Sequence, residues 1–243
     1  YSWTTNINIA LFFAQRFHQN ENSKIYKAKV KVHDVIDYID GREEEILIFP
    51  EALKDIEEIE LLKLSDVISG ELIDKYHFNL QKLKPEYFNE PDGIHGILHV
   101  KRVLLLSLML SDLNNLDIFE KRIIQDTSLF HDIGRINNGE DKEHGRLSYD
   151  KLKKLNLVHG KKEYMETLRY VITEHSISDK EVFTNINKYK IKDKKRAIKL
   201  LKIMKDADGL DRVRLNDLDV RYLRTDFAIK LSGIANQLLM GIE

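Results

Sequence analysis

The spacing of apolar and polar positions divides the chain into a short segment of mixed pattern and a long helical one. Between residues 24 and 39 apolar residues alternate with lysines, which predicts a strand, and a second apolar run covers 45–50. A capped apolar pattern over 7–19 predicts a helix before them. We therefore expect residues 1–50 to form a small α+β segment.

From residue 51 to residue 243 the apolar positions recur at helical spacing, and short polar stretches separate the runs. With only three prolines and 11 glycines, the chain has few residues that break helices. The pattern predicts a mostly α domain over 51–243. Its helices are expected near 52–64, 66–84, 93–113, 116–133, 142–156, 161–176, 192–208 and 225–241.

Composition narrows the function classes. The chain has 39 Lys and Arg against 40 Asp and Glu, so its net charge does not favour binding to nucleic acid or to a membrane surface. It contains no cysteine, which excludes disulfides and thiolate metal sites and suits a reducing cytoplasm. The sequence shows neither a signal peptide nor an apolar run of roughly 18 residues, the length of a transmembrane helix. We expect a cytoplasmic protein.

Histidines and aspartates accumulate at the ends of the predicted helices. Imidazole nitrogen and carboxylate oxygen suit Zn, Fe, Mn, Ni and Co, and ligands from neighbouring helices can converge in a bundle. A single buried histidine, however, is more often a hydrogen-bonded core residue than a ligand. The residues concerned are His95, His99, His131, Asp132, His144, His175, Asp206, Asp208 and Asp211.

The order of these residues resembles the HD superfamily of metal-dependent phosphohydrolases over about residues 90–215. His99 is followed by Arg102 and Val103, His131 and Asp132 stand in LFHDIGR, and Asp208 is the second aspartate of DAD in KDADGLD. The resemblance implies an HD-type helical bundle in which four residues bind a divalent transition metal. They are His99, His131, Asp132 and Asp208.

Members with two metals carry two further histidines between the His-Asp pair and the last aspartate. His144 and His175 match those places, and Asp132 would then bridge the two ions. The alternative, which we favour less, is that His144 is a polar residue at a helix start and His175 an exposed residue at a helix end. The sequence leaves the number of ions, one or two, open.

The resemblance implies hydrolysis by a metal-activated water, with Asp132 and Arg135 in the catalytic group. His95, on the same helix face as His99, is expected to contact a small phosphorylated substrate, and a structural role for it is at least an equal alternative. Arg146 and Arg212 are expected to bind the same substrate, since guanidinium groups bind phosphate in a bidentate manner. For the last two arginines, a surface salt bridge is an equal alternative. Three further arginines lie in a stretch that resembles the tail of a bacterial HD subgroup, which implies a place at the substrate pocket, although a charged helix face is the favoured interpretation. They are Arg214, Arg221 and Arg224.

The opening residues also resemble part of an ADP-ribosyltransferase-like fold. In that comparison Ser2 and Thr4 match a Ser-x-Thr strand, and the glutamates at 43–45 match a Glu-rich strand. The first half of such a domain has no counterpart here. We interpret 1–50 as a scaffold or remnant that covers the HD pocket.

Three functions follow from these observations. The first is hydrolysis of a phosphoester or phosphoanhydride in a nucleotide or another small phosphorylated compound. The second is a metal-containing module that senses a nucleotide or binds a partner without turnover. The third is a nuclease, which the near-neutral charge disfavours despite the basic run at 192–199. The sequence leaves the substrate, the metal and the oligomeric state open.

Overall fold

A computed structural model describes residues 3–16, 24–41, 44–59 and 61–241. Within these ranges, short strands precede a succession of helices. The strands are β1 (Trp3–Thr4), β2 (Ile25–Lys29), β3 (Val35–Ile39), β4 (Glu45–Ile48) and β5 (Lys54–Ile59). The helices are α1 (Ile7–Arg16), α2 (Leu64–Val67), α3 (Gly70–Leu80), α4 (Ile97–Leu113), α5 (Ile118–Phe130), α6 (His144–Lys154), α7 (Lys162–Glu174), α8 (Asp179–Asn185), α9 (Lys194–Leu210), α10 (Asp226–Lys230) and α11 (Ser232–Gly241).

The strands form two antiparallel sheets, one in the order β1-β4-β3 and one in which β2 pairs with β5. The strand predicted over 24–39 is interrupted by a single helical turn at Val32–Asp34, and its two halves belong to different sheets. Thr4 lies opposite Glu45 in the β1–β4 pair. Ser2 and Glu43 lie outside the described residues, so assigning this segment to an ADP-ribosyltransferase-like fold stays a prediction.

The helix predicted near 52–64 is wrong. Its apolar positions fit a helical period, but residues 54–59 form β5 beside the lysine-rich β2. Ion pairs join the two strands, from Lys24 to Glu58 at 2.9 Å and from Lys29 to Asp55 at 3.1 Å. Because cross-strand pairs of opposite charge stabilise a sheet, the partner strand decided the local structure here.

The helical part of the chain packs around α4, which is buried along nearly its whole length. It contacts α5, α9 and α3, while α7 packs against α5, α6 and α9. The predicted helices from 66 onward lie at their expected places, with the last one divided between α10 and α11, whereas α8 was not predicted. The mostly α fold with a small α+β start is confirmed.

A second, smaller core joins the N-terminal segment to the helical part. Leu11 and Ala14 of α1 pack with Ile25 of β2 and with Val220. The side chain of Asn8 donates to Asp219 Oδ1 at 2.8 Å and accepts from the Val220 backbone N–H at 2.9 Å. The segment around Val220 is therefore held from the N-terminal side. Within the described ranges, every helix is too short or too polar to cross a lipid bilayer.

Candidate metal centre

Helix ends bring the predicted ligands to one point. His99 lies in the first turn of α4, and His131 follows directly after α5. His144 begins α6 and His175 follows directly after α7, while Asp208 lies in the last turn of α9. Each ligand is therefore positioned by a helix whose apolar residues are buried in the common core.

Two glycines allow the helices to approach closely enough. A Cβ atom on Gly134, just after His131 and Asp132, would lie 2.1 Å from the backbone nitrogen of Ser148 in α6. A Cβ atom on Gly145 would lie 2.5 Å from the carbonyl oxygen of Ile172 in α7. Since no side chain fits at either place, these contacts need glycine.

Asp132 divides its two carboxylate oxygens between two sets of histidines. Its Oδ2 lies 3.4 Å from His99 Nε2 and 3.7 Å from His131 Nε2. Its Oδ1 lies 3.2 Å from His144 Nε2 and 3.7 Å from His175 Nε2. One carboxylate therefore lies between two pairs of ring nitrogens.

Asp208 completes the first set, with its Oδ1 at 3.4 Å from His99 Nε2 and 4.0 Å from His131 Nε2. Asp206, the other aspartate of the same sequence motif, points elsewhere. It accepts from the Arg224 backbone N–H at 2.8 Å and from the Thr225 hydroxyl at 2.8 Å. Of the two aspartates, the structure places Asp208 in the cluster.

The ring nitrogens show that the cluster fits a cation. Three carbonyl oxygens accept from the Nδ1–H groups of His131 (Ser128, 3.0 Å), His175 (Ile172, 2.7 Å) and His144 (Asp141). The Nδ1–H group of His99 donates to Asp211 at 2.7 Å. The Nε2 atoms of His131, His144 and His175 therefore present lone pairs to the cluster. The Nε2 atoms lie 3.1 Å apart between His99 and His131 and 2.9 Å apart between His144 and His175. Opposed lone pairs repel unless a positive charge lies near them, and this arrangement is typical of metal-ligating histidines.

Burial sets the ionisation of the cluster. It lowers the pKa of His131 to about 3 and that of His144 to about 4, which keeps both rings neutral. Burial also disfavours the charged form of Asp132, but the surrounding histidines, His131 first, hold its pKa well below the ordinary value. His99 is the exception, since hydrogen bonds with Asp132 and Asp211 raise its pKa against the effect of burial. Neutral imidazole and ionised carboxylate are the forms that bind metal.

Asp211 was among the sequence candidates, but its contact with His99 and its pairing with two arginines were not predicted. Asp211 accepts the His99 Nδ1–H and also accepts from Arg102 Nε at 2.5 Å and Arg214 Nη1 at 3.2 Å. The side chain of Arg214 is only 8% exposed, so its interpretation as part of a charged helix face is wrong. The spacing of Asp208 and Asp211, three residues apart on one helix face, is the sequence signal that could have found this group.

The other predicted residues divide into two groups. Arg135 Nε donates to Asp132 Oδ1 at 3.1 Å, and His95 Nδ1 lies 3.1 Å from Asp132 Oδ2, so both lie at the cluster. Arg146 lies away from it, because its guanidinium pairs with Glu143 at 2.7 Å and Asp150 at 3.0 Å along α6. The salt-bridge alternative describes Arg146, and a substrate contact there has no geometric support.

Arg212 lies at the rim of a pocket that opens onto the cluster at His175 and Asp208. Arg224 also lines this pocket and donates to Asp179 at 2.8 Å. The expectation that it belongs to an exposed charged helix face is therefore wrong. A narrower opening on another side is lined by His95, Asp132 and Arg135. These two openings therefore lead from solvent to the cluster, and different side chains line each of them.

Residues 96–213 match the family model of the HD domain. This segment is an HD domain. The match covers the cluster from His99 to Asp211, so the predicted membership of the HD superfamily is confirmed. Comparison with curated proteins and with solved structures gave no significant match to the chain. The described residues include three groups of histidine and aspartate that could hold a metal ion, and all three lie in this cluster.

Proposed function

We propose that the protein is a metal-dependent phosphohydrolase that cleaves a phosphoester or phosphoanhydride bond in a nucleotide or another small phosphorylated compound. The observation that carries this proposal is the Asp132 carboxylate, which offers one oxygen to each of two pairs of histidine ring nitrogens. An HD domain with this donor set is suited to two divalent cations from among Fe, Mn, Zn, Ni and Co.

His99, His131 and Asp208 would hold one ion together with Asp132 Oδ2, and His144 and His175 would hold the other together with Oδ1. Divalent cations held there would lower the pKa of a water molecule and neutralise charge on a phosphoryl group. The protein's own contribution is to keep these side chains rigid in a buried site, with the rings of His131 and His144 neutral and the carboxylates ionised.

Arg135 supplies a fixed positive charge beside the cluster. Its Nε is held by Asp132 and its Nη1 donates to the Gly139 carbonyl at 3.1 Å, so the guanidinium has a defined position. Its Nη2 lies 3.5 Å from His144 Nε2 and faces the cluster. A guanidinium in this place would stabilise the negative charge of a phosphoryl group during its transfer. His95, partly exposed in the same opening, would contact the substrate from beside Asp132.

The test is metal analysis of the purified protein combined with hydrolysis assays on nucleotides, sugar phosphates and an aryl phosphate. We expect bound transition metal and activity on at least one of these compounds. Asp132→Ala is expected to lose metal and to lower activity about 100-fold or more, since a bridging charge is removed. His159→Ala, a change at an exposed histidine outside the cluster, is the control and is expected to behave like the wild type.

Activity that persists in Asp132→Ala would contradict the proposal. Metal-loaded wild-type protein that turns over no compound of the panel would contradict it as well. That second result would favour the non-catalytic sensing or interaction module instead.

A further inference from the structure

The pocket at His175 and Asp208 is lined mainly by charged side chains. Its volume is about 340 Å³, at the small end of the range for small-molecule sites. Its lining includes three cations (Lys205, Arg212 and Arg224), two further aspartates (Asp217 and Asp219) and one aromatic ring (Tyr222). The charges of these side chains restrict which phosphorylated compounds the pocket can hold.

Two of the three cations are already neutralised within the protein. Lys205 is buried, and its Nζ donates to the Ile177 carbonyl and to Asp179, both at 2.6 Å. Arg224 donates to both oxygens of Asp179, at 2.8 and 3.1 Å, and to Asp206 at 3.3 Å. Since these donors are occupied by carboxylates and a carbonyl, they add little net positive charge to the pocket.

Arg212 differs from the other two cations. Its side chain is 52% exposed, and within the described residues its ion pair is with Asp217, whose side chain is 45% exposed. An exposed pair of this kind contributes little to stability and can exchange partners at small cost. Arg212 therefore has guanidinium donors that can turn to a ligand, and Asp217 competes with that ligand.

The aromatic ring lies in the same pocket. The side chain of Tyr222 belongs to a largely exposed residue, 76% accessible, in the segment that also carries Asp219 and Arg224. Asp219 is occupied by Asn8 and by Arg221, at 2.8 and 2.7 Å, so this segment is anchored while the ring stays open to solvent. An exposed ring on an anchored segment is a surface on which a planar group can stack.

We propose that this pocket binds a phosphomonoester carried by a planar aromatic group, of the nucleoside monophosphate class, with the phosphate at Arg212 and the ring on Tyr222. The inference rests on the proposed function and narrows its substrate. Arg212, whose exposed ion pair can exchange, and the carboxylate of Asp217 beside it match the small charge of a monoester. Asp217 would repel the larger charge of a triphosphate.

Binding is measured by calorimetry on the metal-loaded protein with phosphonate analogues of a nucleoside mono-, di- and triphosphate that resist hydrolysis. We expect the monophosphate analogue to bind at least about tenfold more tightly than the triphosphate analogue, a difference of about 1.4 kcal/mol. Tighter binding of the triphosphate analogue would overturn the proposal.

Separate substitution of the two members of the Arg212–Asp217 ion pair gives the sharpest test. Arg212→Gln is expected to weaken binding of the monophosphate analogue about tenfold, because a charge-assisted contact to phosphate is lost. Asp217→Asn is expected to strengthen it several-fold, because Arg212 is released. The matched controls are Arg146→Gln and Asp150→Asn, which break an equally exposed arginine–aspartate pair on α6 and should leave binding unchanged. Weaker binding in Asp217→Asn would overturn the proposal.

Tyr222→Ala is expected to weaken binding of the monophosphate analogue about tenfold, within the range measured for stacking of a base on an aromatic side chain. Tyr38→Ala, at another exposed tyrosine, is the control. Metal-dependent hydrolysis without any of these binding effects would overturn the pocket assignment and leave the proposed function intact. Binding with all of these effects, but without hydrolysis of any phosphoester, would support the pocket and contradict the proposed function.

Discussion

At the scale of single residues, the cluster depends on the acceptor that each imidazole Nδ1–H group contacts, because this hydrogen bond orients the ring. Three rings are held by backbone carbonyls, but His99 is held by the carboxylate of Asp211. That carboxylate is fully buried and is balanced by Arg102 and Arg214. A charged partner raises the basicity of a ligating ring more than a carbonyl does, so Asp211 is expected to determine how strongly the first ion binds.

Asp211→Asn tests this role. The change keeps the shape of the side chain but removes the charge that faces His99, and we expect the affinity for the first metal ion to fall by about 10- to 100-fold. Competition with a chromophoric chelator measures it. Asp74→Asn, at an exposed aspartate of α3, is the control. Urea unfolding of the metal-free variant separates weaker binding from loss of the fold, and equal metal affinity in both variants would exclude the role.

At the scale of elements, the second half of the cluster depends on the packing of α6 against α7. His144 and His175 come from the start of one helix and the end of the other, so their separation follows the separation of the helices. Gly145 lies where α6 approaches α7 closely, and a Cβ atom there would meet two carbonyl oxygens of α7, of Ile172 and Thr173, at 2.5 and 2.7 Å. The helices can only accommodate such an atom by moving apart.

Gly145→Ala is expected to move His144 away from His175 and to reduce the metal content from two ions to one. Overpacking at a tight contact also lowers the free energy of unfolding by about 1–3 kcal/mol. Metal analysis after dialysis and urea unfolding are the measurements. Gly70→Ala, at a glycine of α3 with open space around it, is the matched control and should keep both ions. Two ions in Gly145→Ala would show that the helices repack without cost to the site.

At the scale of the whole molecule, burial in the metal-free protein keeps two histidine rings neutral at a pH where an exposed histidine is protonated. The pKa of His131 is lowered to about 3 and that of His144 to about 4, whereas the unfolded chain has an ordinary histidine pKa near 6.5. Between pH 6.5 and pH 4 the unfolded chain therefore binds more protons than the folded one. The contribution of these two rings to the free energy of unfolding therefore decreases as the pH is lowered through that range.

We expect the free energy of unfolding of the metal-free protein to decrease below pH 6.5 by up to about 1.4 kcal/mol per pH unit for each of these two rings. His99 adds no slope there, because its raised pKa leaves it protonated in both states below pH 6.5; its contribution is lost only as pH rises through the folded value. Urea unfolding in the presence of a chelator at pH 5, 6 and 7 measures the slope.

His131→Gln is expected to flatten that slope, and His159→Gln is the control at an exposed histidine. A steeper decrease with falling pH in His131→Gln than in the control would contradict the assignment of the slope to this buried ring.

The local apolar pattern determined the secondary structure in some parts of this chain, and pairing between distant segments determined it in others. The helices from α3 to α9 were mostly predicted because long apolar runs at helical spacing leave few alternatives. β5 was not, because the pattern near 52–64 also fits a helix and only pairing with the lysine-rich β2 makes it a strand. Arg214 was misjudged for a related reason, since its burial involves the segment around Ile94, whose carbonyl oxygen accepts from Arg214 Nε at 2.9 Å and which is distant in the sequence.

By itself, the sequence determined a mostly α protein with an HD domain and the order of its histidine and aspartate candidates, because each candidate stands in a recognisable local context at the end of a helix. Only the tertiary structure decided that Asp132 divides its oxygens between two nitrogen pairs and that Asp211 holds His99. It also decided that Arg212, but not Arg146, lies at the open pocket. These relations join residues on separate helices, and the distance between helices is set by how their side chains pack.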